Sequence, residues 1–101
     1  MISEKKVQEF ILESMQSVKD SDPVYKNWTL NEKTIVLGSQ SPMDSIAFTA
    51  FVTSLEEKIE EAVKRPYALD LEKLYGEDDP ERIHLKVTDI ASRIVSALAA
   101  K

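Results

Sequence analysis

Leu37-Gly38-Ser39-Gln40-Ser41-Pro42-Met43-Asp44-Ser45-Ile46-Ala47-Phe48-Thr49-Ala50-Phe51-Val52 is the stretch that decides the fold. Within a few residues it passes from turn-forming Gly, Ser and Pro to an apolar pattern at helical spacing. Two helix starts fit. Ser41 can cap, with Pro42 at the first helical position, where a missing N–H costs nothing, and Asp44 completing a Ser-x-x-Asp box. Alternatively, Asp44 is itself the cap. Both place Ser45 in or beside the first turn, where unpaired backbone N–H groups and the positive end of the helix dipole favour a phosphate ester on its hydroxyl.

Outward in the C-terminal direction, this second helix runs to residue 63 or 64. Phe48, Phe51, Val52, Leu55, Ile59, Ala62 and Val63 form its expected inward face. Glu56, Glu57, Glu60 and Glu61 charge its outside near the C-terminal end, where acid opposes the helix dipole. The cluster is therefore not placed for helix stability, and reads either as a solvated face or as a docking surface. Arg65-Pro66 ends the helix. Residues 71–75 and 79–82 each fit a short third helix. The spacing of Val87, Ile90, Ala91, Ile94, Val95 and Leu98 predicts a closing helix over 87–99.

Outward in the other direction, residues 23–41 carry no sustained period but contain Val24, Tyr25, Trp28, Leu30, Ile35, Val36 and Leu37. A loop this long and this apolar is expected to fold down onto the core, with Trp28 as a packing anchor. Residues 34–37 have the composition of a short strand, but no second clear strand is available to pair with them. Before the loop, Val7, Phe10, Ile11, Met15 and Val18 mark a first helix over about 3–18, with Ser3 as cap and Glu4 at its positive end. Pro23 stops it. The expected fold is all-α: three main helices plus a short third one, with a long ordered loop between helices one and two.

Composition narrows the function. A chain of 101 residues, 43% apolar, is one domain over 1–101 with a modest core. Its 18 acidic against 13 basic residues give a formal charge of −5, which opposes nucleic acid and anionic lipid and favours basic protein partners. It has no cysteine and one histidine, His84, so thiolate chemistry is excluded and a histidine triad or multi-histidine metal site has little to build on. No Gly-x-Ser-x-Gly turn surrounds Ser45. The chain is not read as an enzyme, and no catalytic or metal-ligating residue is assigned. With no apolar run long enough for a signal peptide or a membrane span, a cytoplasmic protein is expected.

Asp44-Ser45-Ile46, preceded by Leu37-Gly38 and followed by Leu55-Glu56-Glu57, resembles the phosphopantetheine attachment region of acyl carrier proteins, whose usual tripeptide is Asp-Ser-Leu. The likeness extends over nearly the whole chain in the order of its elements. It implies an acyl-carrier-like bundle, a monomer that does no chemistry itself. A phosphopantetheinyl transferase (holo-carrier synthase) would join phosphopantetheine from coenzyme A to Ser45 through a phosphodiester. The thiol of that arm would carry an acyl or aminoacyl group as a thioester. By the same resemblance Asp44 would serve transferase recognition and Ile46 would supply an apolar contact. Thr49, Thr53, Glu56 and Glu57 fall where the family's second helix meets basic docking surfaces of ligases and acyltransferases.

Ile46 also has a plain core reading, but Phe48, Phe51 and Leu55 already define the inward stripe, which favours contact over burial. Ala47 and Ala50 stand where fatty-acid-synthesis carriers tend to have acid, Ile46 replaces the usual leucine, and the connection after the second helix is longer. These departures look more like specialised stand-alone bacterial carriers of lipid, polysaccharide or secondary-metabolite pathways. The alternative is an acidic helical interaction module that kept the carrier fold and is not modified.

Overall fold

The computed structural model describes residues 2–37, 45–69 and 85–99. Among them are three helices and a small two-stranded sheet: α1 (Glu4–Ser21), β1 (Ile35–Leu37), α2 (Ser45–Val63), β2 (Leu85–Lys86) and α3 (Val87–Ala99). The competing caps Ser41 and Asp44, both candidate positions of the short additional helix, and His84 lie outside the described residues.

α1 begins where the Ser3 hydroxyl accepts the Lys6 N–H at 3.1 Å, with Glu4 in the first turn. Its buried face is Val7, Ile11, Ser14, Met15 and Val18. The helix continues three residues beyond the expected end at 18, because Ser21 Oγ folds back to donate to the Ser17 carbonyl at 2.8 Å. Asp22 then turns extended, accepts the Val24 N–H on Oδ1 at 3.0 Å, and opens a single 3₁₀ turn over Pro23–Tyr25.

That turn begins the descent of 22–37 onto the core. Tyr25 is buried, its ring centroid 5.6 Å from that of Trp28, and Trp28 and Leu30 pack half-buried against the core. Thr34 Oγ1 donates to the Thr29 carbonyl and accepts the Asn31 N–H, both at 2.8 Å.

Here the sequence expectation needs correcting. Residues 35–37 do form a strand, and it has a partner: Ile35 pairs with Lys86 and Leu37 with Leu85, antiparallel. Two positions on β1 are spanned by one on β2, an irregularity at the fully buried Val36. β2 has two residues, too few for alternation to appear in sequence, and it runs without a break into α3. The loop also caps that helix. The Val87 N–H donates to the Thr34 carbonyl at 3.0 Å and the Thr88 N–H to Glu32 at 3.3 Å, while Asp89 reaches back to accept the Lys86 N–H at 3.0 Å.

α1 packs against both α2 and α3. Phe51, Leu55 and Ile59 of α2 and Ile90, Ala91 and Ile94 of α3 are the matching buried positions. Lys58 of α2 pairs with Glu13 of α1 at 3.4 Å, and Ile2, Val63 and Leu98 line one cleft, so α1 runs opposite to the other two helices. One expected core residue is displaced: Ala62 is exposed, because it lies at the end of α2, where this cleft opens beside it.

Candidate functional site

α2 is described from Ser45 to Val63, 19 residues and so about 28 Å. Ser45 stands at the end of the molecule opposite the cleft, where α1 finishes and α3 begins. Among the described residues, no acidic side chain lies in the first turn of α2.

Ile46 is 82% exposed. The core reading of this residue therefore fails, and its side chain is a large apolar group given to solvent beside Ser45. The inward side begins at Phe48, whose half-buried ring lies 6.1 Å from that of the buried Phe51. Thr49, Ala50, Thr53, Glu57 and Glu61 are exposed and follow Ile46 along one side of the helix at three- and four-residue spacing. The outer face thus runs from an apolar head through small and hydroxyl-bearing side chains to acid. Asp44 lies outside the described residues.

The four glutamates do not act as one patch. Glu57 and Glu61 are exposed, but Glu56 and Glu60 are half-buried and hold the chain that follows the helix. Lys64 closes the last turn, its N–H on the Glu60 carbonyl at 2.7 Å, and adopts a left-handed φ of 58° that reverses the chain. The Tyr67 N–H then donates to Glu60 Oε1 at 3.0 Å and the Leu69 N–H to Glu56 Oε2 at 2.7 Å. Two residues of extended chain advance about 6.7 Å and four helical residues about 6 Å, so alternate N–H groups meet carboxylates one turn apart.

This accounts for Glu56 and Glu60 at the unfavourable end of α2. The pairs were missed in sequence because they join a helix to irregular chain. The available signal was a Glu-x-x-x-Glu row followed by a proline and a short apolar segment.

Among the described residues no group of three or more His, Asp or Glu side chains is placed to hold a metal ion, and no helix is long and apolar enough to cross a membrane. No protein-family model, curated protein or solved structure matches the chain.

Proposed function

We propose that the chain is a stand-alone carrier protein in which Ser45 bears phosphopantetheine and delivers an acyl or aminoacyl group to partner enzymes of a specialised lipid, polysaccharide or secondary-metabolite pathway. The observation that carries the reading is the isoleucine directly after Ser45, which leaves 82% of its surface to solvent where the described part of α2 opens. An apolar side chain of that size contributes nothing to folding when left exposed, whereas it offers a transferase a contact next to the reacting hydroxyl.

The arm, when attached, supplies a thiol to a chain that has no cysteine of its own. The chain's residues position and present it. α2 holds Ser45 at an end of the domain, and Thr49, Thr53, Glu57 and the accessible part of Glu56 form the face on which basic partners, including the transferase and the loading ligase, dock. In this reading the protein acts as a cytoplasmic monomer.

Intact-protein mass after incubation with coenzyme A, magnesium and a broad-specificity phosphopantetheinyl transferase is the test, with Ser45→Ala alongside. A gain of one phosphopantetheine in the wild type alone supports the carrier. No gain with a panel of transferases sinks it and leaves the interaction module, which would bind its partner equally well as Ser45→Ala.

A further inference from the structure

The cleft at the end of the bundle away from Ser45 is built by three helix ends. α2 stops at Val63, where the left-handed Lys64 turns the chain aside, and α3 brings Leu98 to the same level. Ile2 precedes the Ser3 cap of α1, the position from which an apolar side chain steadies a helix entry. These three side chains form an apolar floor: Leu98 is buried, and Ile2 and Val63 are half-buried against the core. The cleft encloses about 710 Å³. Small-molecule sites span about 300–1,000 Å³ and are likewise mostly apolar with a few polar groups.

Among the described residues that line the cleft, the charged ones are Lys6 and Arg65, both exposed, in a chain whose formal charge is −5. Lys6 has other contacts: Glu9 at 3.5 Å and the ring of Phe10 at 5.2 Å. It also borders a neighbouring groove with Glu13 and Glu61. Arg65 lies past the reversal at Lys64, beyond the last turn in which a cation would serve the dipole of α2. α1 brings the positive end of its dipole to the cleft, and α2 and α3 bring their negative ends. The two side chains therefore decide which charge is preferred.

We infer that this cleft binds a single-chain amphiphilic anion, its tail on Ile2, Val63 and Leu98 and its head at Lys6 and Arg65. A tail alone would leave the cations unused, and a small anion alone would gain little from exposed charges. The chain's overall charge repels an extended anionic bilayer, whereas a single molecule in the cleft meets mainly the charges within the roughly 10 Å that salt leaves unscreened. Ser45 is at the other end of the molecule, so the site works without any group attached there and stands apart from the carrier reading.

Methyl NMR of the full unmodified chain, titrated with decanoate, tests it. Decanoate is expected to shift the methyls of Ile2, Val63 and Leu98 saturably, decyltrimethylammonium to bind at least tenfold more weakly, and acetate to leave those methyls in place. Lys6→Gln and Arg65→Gln should each weaken decanoate about threefold, the scale of an exposed charge pair. Ala62→Trp fills the cleft from an exposed position and should weaken decanoate tenfold or more, with thermal unfolding of each variant showing that the fold is kept. Shifts that do not saturate, equal binding of the two amphiphiles, binding that both glutamine variants leave unchanged, or binding that survives Ala62→Trp overturns the inference. So does a concentration-dependent dimer in sedimentation that Ala62→Trp abolishes, since the cleft would then belong to a second copy of the chain.

Discussion

The Glu56 carboxylate accepts the backbone N–H of Leu69 at 2.7 Å, 13 positions further along the chain. With Glu60 and Tyr67 one turn away, it makes α2 the template on which the following segment is laid. Both carboxylates are half-buried, so each bond is expected to be worth about 1 kcal/mol. Glu56→Ala and Glu60→Ala should each lower unfolding stability by that amount, and the glutamine replacements by less. The double variant should fall short of the sum, since both bonds hold one short segment. Urea denaturation of the four single variants and the alanine pair checks this.

Ser14 presents the opposite situation. It is fully buried on the inner face of α1, and its hydroxyl has no hydrogen-bond partner. Burying an unsatisfied hydroxyl costs free energy, and serine is also a poorer helix former than alanine. Ser14→Ala is expected to raise stability by about 1 kcal/mol, read as a higher midpoint in thermal unfolding.

Lys64 adopts φ 58° with a Cβ in place. Left-handed backbone costs a residue other than glycine about 1 kcal/mol. Lys64→Gly should therefore stabilise the protein by somewhat less than that, because glycine also widens the unfolded ensemble. The same substitution inside α2, at the exposed Ala50, should destabilise, which separates the backbone effect from loss of a side chain.

Ile46 and Leu55 test whether apolar surface on α2 serves folding or recognition. Leu55 is fully buried, and Leu55→Ala is expected to cost about 3 kcal/mol. Ile46 is 82% exposed, so Ile46→Ser should change stability by no more than about 0.5 kcal/mol. If Ile46 contacts the transferase, loading of Ile46→Ser should fall about fivefold or more in kcat/KM, the effect of losing about 1 kcal/mol of contact. Unfolding curves and initial rates of phosphopantetheine transfer separate the two effects.

What the sequence made legible was periodicity. Val87 to Leu98 repeat at three and four, and α3 lies where that repeat places it. Phe51, Leu55 and Ile59 went inward as their spacing required, and Ile46 stayed outside because the stripe was already complete. What stayed illegible was contact between distant pieces. Nothing local in Leu85-Lys86 marks it as the partner of Ile35 and Leu37, and nothing local in Tyr67 or Leu69 names a glutamate on the preceding helix. Ala62 failed for a related reason: its angle on α2 is inward, but the bundle ends before anything covers it. That Ser45 lies in α2 could be read from the change of turn-forming residues into an apolar pattern, because that signal is local.

The sheet that pairs Ile35 with Lys86 closes a long stretch of chain, and α2 lies entirely inside the loop it closes. Each helix can begin to form from its own neighbours, but this ladder gains nothing until the far end of the chain arrives. The chain just before β1 also satisfies the first N–H groups of α3, through the Thr34 and Glu32 carbonyls, so the last helix is not fully capped until these two stretches meet. The contacts of α1 with α3 span still more of the chain, and the ladder shares in that closure. The refolding rate should be governed by that long-range closure, and a substitution that weakens the ladder before the rate-limiting step would slow folding more than its size suggests.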